Sequence, residues 1–127
     1  WCAANAEEVE LQTSVTPSIY TYPWWWAAVS AADVSWAERF PLWLAAYPGT
    51  GWPKEGDSPK VPHPWKDWLF WQFDGNGGLK MPNGLDSDFC VFNGDEEALQ
   101  ALAGKAPDRP VGDGVLGRAA DTICIRR

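Results

Sequence analysis

Two short apolar segments constrain the fold more than anything else in this chain. SIYTY, residues 18 to 22, is β-branched and aromatic and lies between Pro17 and Pro23, which predicts a buried strand. PLWLAAY, residues 41 to 47, is continuously apolar, as a strand covered on both faces tends to be. Between them, Trp25 to Phe40 carries Val29, Ala32, Trp36 and Phe40 at spacings of three and four, which predicts one helix with those residues on its buried face. Residues 3 to 12 have helix-forming composition, so the order becomes helix, strand, helix, strand. That alternation implies right-handed crossovers, parallel strands and an α/β layer.

The rhythm then fails. From Pro48 to Lys66 the chain is rich in proline and glycine and keeps no period, and so long an irregular connection in a compact domain is expected to flank a binding cleft. A third strand follows in DWLFWQF, whose alternation places Trp68, Phe70 and Gln72 on one face and Leu69, Trp71 and Phe73 on the other. DGNGG predicts a turn, with Asp74 as a turn residue, and residues 83 to 92 resume as a strand. Asp95, Glu96 and Glu97 complement the dipole of a short helix that ends at Gly104. Residues 105 to 114 have linker composition, and 115 to 127 carry no assignable pattern, so the chain divides into a domain over 1–104 and a tail over 105–127.

Composition excludes several functions. A net charge of −7 leaves no clustered cations to neutralise phosphates, which argues against nucleic acid. No run of apolar residues is long enough to span a membrane, and the N-terminus lacks the basic-then-apolar order of an export signal, so a soluble chain is expected. The only methionine is Met81, and a chain beginning at Trp1 is expected to be a processed product or a fragment. Cys2, Cys90 and Cys124 form no metal-binding spacing and are expected to be buried free thiols. No cofactor or metal is called for.

Ten tryptophans are the main chemical signal, because indole faces suit stacking on the C–H faces of sugars. Most of them are expected to fill the core, Trp36 and one or two of Trp24 to Trp26 included, whereas Trp52 and Trp65, in the proline-rich connection, are as well suited to a cleft wall as to packing. Glycoside chemistry needs a proton donor and a second carboxylate. Asp86 and Asp88 share one strand face, a weak pattern taken alone. The sole histidine, His63, lies between prolines and has no nucleophile motif beside it, so it reads as structural.

IYTYPWWW, FPLWLAAYP, PWKDWLFWQFDGNGG and LDSDFCVFNG with a short helix after it, in that order over residues 7 to 103, resemble the C-terminal half of glycoside hydrolase family 25, the Chalaropsis-type lysozymes or muramidases. The resemblance implies the C-terminal half of an irregular TIM-like β/α barrel whose last strands lack regular covering helices. It also implies hydrolysis of the β-1,4 bond between N-acetylmuramic acid and N-acetylglucosamine in peptidoglycan, by an extracellular or cell-wall-directed parent enzyme. The aspartate of the family's D-x-N-x-F falls on Asp88, implying a catalytic carboxylate, while Cys90 replaces the asparagine. Tyr20, Trp43, Tyr47, Trp71 and Gln72 fall on cleft-facing blocks and are implied substrate contacts. The family's acid, in a D-x-E that would precede Trp1, has no counterpart here, and Asp95 to Glu97 reads instead as a helix start. A half barrel on its own would leave exposed edges prone to self-association. The alternative to a hydrolase is a non-catalytic module that binds wall glycans, and a third reading is a Trp-rich α/β domain without sugar chemistry.

Overall fold

The computed structural model describes residues 1–29, 33–49, 52–54, 56–75, 79–104 and the strand backbone of 122–125. The element order is α1 (Cys2–Thr13), β1 (Ile19–Thr21), α2 (Pro23–Val29), a 3₁₀ helix (Ser35–Arg39), β2 (Leu42–Ala45), β3 (Phe70–Asp74), β4 (Asp88–Phe92), α3 (Glu96–Leu102) and β5 (Thr122–Ile125). The strands form one open mixed sheet in sequential order from β1 to β5. As the alternation predicted, β1 and β2 are parallel, and β3 runs parallel to β2. β4 turns back antiparallel to β3, while β5 is parallel to β4. The tail left unassigned in the sequence therefore contains a strand; residues 105–121, the whole of the predicted linker among them, lie outside the described residues.

α1 ends where Ser14 adopts left-handed backbone and its N–H returns to Glu10 O at 2.8 Å. Arg39 pairs with Glu7 and Glu10, tying α1 to the 3₁₀ helix. α3 is capped as its sequence predicted, Asp95 Oδ1 accepting from the Ala98 N–H at 2.8 Å.

The single helix predicted over 25–40 is corrected to two shorter pieces. Pro23 opens α2 at the first helical position, which its fixed φ favours. A second start follows at Asp33, whose Oδ1 accepts from the Ser35 N–H at 2.9 Å and initiates the 3₁₀ helix. The predicted buried face does not form as drawn: Val29 is exposed, Trp36 half-buried, Phe40 buried, and Ala32 lies outside the described residues. Trp26 is the buried indole of α2.

Paired residues across adjacent strands share a face, so the register sorts the sheet into two sides. Leu42, Leu44, Trp71, Phe73, Phe89 and Val91 form the covered side. Its cover comes from Trp26, Val34, Ala37 and Trp65, with Val61 and Trp68 packed alongside. The connection from Pro48 to Lys66, expected to flank a cleft, instead spends its second half as this cover. Indole N–H groups fasten it: Trp26 Nε1 donates to His63 O at 2.6 Å, Trp65 Nε1 to Phe40 O at 2.8 Å and Trp68 Nε1 to Ser58 Oγ at 3.1 Å. Each bond lets a large ring be buried with its one polar atom satisfied. Trp65 is thus core, its ring tilted 50° against Trp26 with centroids 4.5 Å apart, and Trp52 rests on Phe73 and Phe89 at the end of the same core. The His63 side chain is exposed, in keeping with a structural or solvated reading, and its backbone carbonyl holds the Trp26 indole.

Candidate functional site

The opposite side of the sheet carries an aromatic row, Tyr20, Trp43, Phe70 and Phe92, in direct register from β1 to β4. Successive ring centroids lie 5.9, 5.3 and 5.3 Å apart. One step toward the carboxyl ends of the parallel strands, Ala45, Gln72 and Cys90 form the next row. Because β4 is antiparallel, its first residue, Asp88, reaches the same end of the sheet as Tyr22, Tyr47 and Asp74. Carboxyl ends of parallel strands are where α/β sheets place ligands.

A groove of about 470 Å³ opens there, lined by Tyr20, Tyr22, Pro23, Trp24 and Ala45 to Tyr47. Trp24 is 70% exposed, Tyr20 52% and Tyr47 47%, so three flat rings present their faces to solvent. Tyr22 and Trp24 lie 4.6 Å apart and form one wall. Trp24 and Tyr22, which also line the groove, were not among the site residues expected from the sequence. The usable signal was their position, immediately beyond the end of a strand and around Pro23.

Tyr20 Oη donates to Gln72 Oε1 at 2.5 Å. The Tyr20 and Tyr47 phenols act on each other. Partial burial, followed by Tyr20 and the carboxylate of Asp88, pushes the Tyr47 phenol up to about 12. Burial also raises Tyr20, and Asp88 and Cys90 add to the shift while its bond to Tyr47 opposes it. Both phenols are therefore protonated at neutral pH. A bulge in β3 between Gln72 and Asp74 keeps Phe73 against Phe89 while freeing Asp74, whose Oδ2 accepts from Leu79 N at 2.6 Å. Asp74 is a turn residue, as predicted.

The expected site residues separate into three groups. Tyr20 and Tyr47 line the groove, Gln72 lies beneath them at 4% exposure, and Asp88 is close enough to act on both phenols. Trp43 stands behind Tyr20, half-buried, its Nε1 enclosed without a hydrogen-bond partner among the described residues. Trp71 is corrected: it projects from the other side of the sheet, 2% exposed, with Nε1 donating to Ala46 O at 2.6 Å. It is a core residue because alternation along β3 sends Trp71 and Gln72 to opposite faces. Asp86 does not join Asp88, being exposed and paired with Lys80. Of the thiols, Cys90 is buried as expected, but Cys2 is exposed on α1, and the Cys124 side chain lies outside the described residues.

A second hollow of about 380 Å³ lies at the opposite end of the sheet, between Glu38, Arg39, Lys66 and Asp67. Its charges are committed to each other or to neighbours: Lys66 to Glu38 at 3.1 Å, Arg39 to Glu10, and Asp67 to Asn93 at 2.9 Å. It offers no ligand the convergence of groups found at the groove. No described helix is long and apolar enough to cross a membrane.

Comparison with known proteins agrees with this geometry. The sequence model described as Glycosyl hydrolases family 25 matches residues 1–81. A muramidase from Acremonium alcalophilum is 32% identical with a TM-score of 0.60, over 84% of this chain and 45% of that one. A muramidase from Trichobolus zukalii is 29% identical with a TM-score of 0.60 over the same shares. A GH25 lysozyme from Aspergillus fumigatus is 32% identical with a TM-score of 0.60, over 81% of this chain and 44% of that one. The chain thus spans a little under half the length of these solved structures. No curated protein matches it.

Proposed function

The chain belongs to glycosyl hydrolases family 25, and we propose that its groove is the sugar-holding part of a muramidase cleft that cleaves the β-1,4 bond between N-acetylmuramic acid and N-acetylglucosamine in peptidoglycan. The observation that carries this reading is the convergence of Asp88 with two protonated phenols beside an open aromatic wall. Rings such as Trp24 and Tyr22 suit the C–H faces of a pyranose, and Tyr20 and Tyr47 suit its polar edge. Asp88 is the carboxylate that faces the developing charge at the anomeric carbon or orients the attacking water.

Glycoside hydrolysis requires a second carboxyl group as proton donor. The only other carboxylate near the two phenols among the described residues is Asp74, which holds the turn after β3. The donor is therefore assigned to the part of the muramidase fold that this chain does not match, and the open sheet is read as the C-terminal half of an irregular β/α barrel. Wall glycan strands are the partner, at the cell wall or outside the cell.

The experiment has two arms. Titrating the chain with N-acetylglucosamine oligomers should perturb tryptophan fluorescence through Trp24, without turbidity clearing of cell walls by the chain alone. Within a muramidase of complete length built around this chain, Asp88→Asn should lower lysis by about a hundredfold or more while leaving oligomer binding in place. Undiminished lysis removes Asp88 from the mechanism. Clearing by the chain alone removes the assignment of the donor elsewhere. Oligomer binding by a complete-length protein that never lyses walls would favour the non-catalytic glycan-binding module, a reading supported by the absence, among the described residues, of a second carboxylate free of turn duties beside these phenols.

A further inference from the structure

The strand pairing brings together two cysteines that are distant in the chain. Cys90 of β4 and Cys124 of β5 are direct partners in the parallel register, between the pairs Phe89 with Ile123 and Val91 with Ile125. Partners in a ladder share a face, so both are placed on the groove side, in the row that already holds Ala45 and Gln72. Neighbouring strands lie about 4.7–4.9 Å apart, inside the Cα separation of about 4.4–6.8 Å that a disulfide spans. The backbone already holds the two residues within bridging reach.

The strands they occupy give such a bond a consequence. β4 begins with Asp88 and lies between β3 and β5. β5 has four residues, stands at the edge of the sheet and follows a segment of linker composition. So short an edge strand recovers few ladder bonds against the entropy of closing a long connection. A covalent cross-link removes much of that entropy from the open state. Cys90 is 0% exposed, so a bond made there is shielded from small thiols.

We propose that Cys90 and Cys124 form a disulfide that fastens β5 to β4 on the groove side of the sheet. The step is thiol–disulfide exchange with a small disulfide such as oxidised glutathione. The thiolate of one cysteine attacks it, forming a mixed disulfide and releasing one glutathione. The thiolate of the other cysteine then attacks the protein sulfur of the mixed disulfide, forming the S–S bond and releasing the second glutathione. Two protons and two electrons pass from the cysteines to the oxidant, which ends as two thiols. The inference is independent of the saccharide reading of the groove.

The test incubates the intact chain with mixed oxidised and reduced glutathione, alkylates the remaining thiols in denaturant and digests with trypsin without reductant. Cleavage after Lys80, Lys105, Arg118 and Arg126 puts Cys90 in peptide 81–105 and Cys124 in peptide 119–126, while Cys2 falls in a peptide ending at Arg39. The expected product is 81–105 joined to 119–126 in most of the monomer, separating when a reductant is added, with Cys2 alkylated. The same cross-link should form in Cys2→Ser and be lost in Cys124→Ser. In hydrogen exchange, the amides of 122–125 should exchange at least about tenfold more slowly in the cross-linked chain than in the same chain kept in reduced glutathione. The amides of β2, on the far side of β3, should change little. Cys90 recovered alkylated, or joined to Cys2, overturns the proposal. So does a cross-link that leaves exchange at 122–125 unchanged, because the bond would then not be what holds β5 in place.

Discussion

The two sides of the sheet are built from nearly the same amino acids and do opposite things. The covered side holds Trp71, Phe73 and Phe89, the groove side Tyr20, Trp43 and Phe70, and ring contacts run from β1 to β4 on the groove side and from β3 to β4 on the covered side. On the covered side the indole N–H groups of Trp26, Trp65, Trp68 and Trp71 are spent inside the chain, as Trp71 Nε1 is on Ala46 O and Trp65 Nε1 on Phe40 O. On the groove side, polar atoms gather at one end beside Asp88 and leave Trp24, Tyr20 and Tyr47 open. Aromatic richness therefore does not distinguish core from site. The exposure of the rings and the carboxylate beside them do.

The largest expected effect tests the covered side. Trp71→Ala removes a fully buried ring from the centre of the core and should cost about 3–5 kcal/mol, read from urea or thermal unfolding. Trp24→Ala, at the exposed wall of the groove, should change stability by no more than about 0.5 kcal/mol and yet abolish most of the fluorescence response to saccharide. If the two variants exchange these outcomes, the assignment of the two sides is reversed.

Much of this contrast was legible before the structure, though not its sense. The β-branched and aromatic runs bounded by proline gave β1 and β2 their places, and strict alternation in DWLFWQF separated Trp71 from Gln72 correctly. Alternation cannot say which side faces the core when both are aromatic, and the resemblance, read block by block, drew Trp71 into the cleft together with Gln72 on the opposite face. The helix over 25–40 failed for a different reason. Its spacing fitted a single helix, but the buried position is Trp26, fixed by a carbonyl from the distant residue His63, and no local pattern encodes such a partner. The proline-rich connection was rightly read as irregular, while its use as cover rather than cleft depended on the same long-range indole bonds. β5 was not readable, because TICI stands alone after a stretch of linker composition.

A medium effect probes the seam between the sides. Gly75→Ala places a methyl group 2.6 Å from Tyr47 Oη, which must move. Overpacking of this kind costs about 1–3 kcal/mol, and the half-exposed phenol can swing outward, so the lower end is expected. Saccharide affinity should fall by about tenfold, since the displaced oxygen no longer lies at the groove end. Loss of stability without loss of affinity would show that the position of Tyr47 serves packing and not binding.

The smallest effect concerns the protons of the groove. Tyr47 holds its proton up to about 12 in the folded chain against 10.0 for an unperturbed phenol. Between those two values the folded state binds a proton that the unfolded state has released. The stability this linkage contributes is therefore complete below pH 10 and is lost as pH rises toward 12. Tyr20 is raised in the same direction and adds to the loss. Ultraviolet titration of tyrosinate should show these two groups ionising late. Burial is the first cause and Tyr20 the next, so Tyr20→Phe should bring Tyr47 part of the way back toward its ordinary value without restoring it. An unmoved Tyr47 in that variant would mean that the Tyr20 phenol does not act on it. The groove side would then hold two independent hydroxyl groups, only one of them anchored on Gln72.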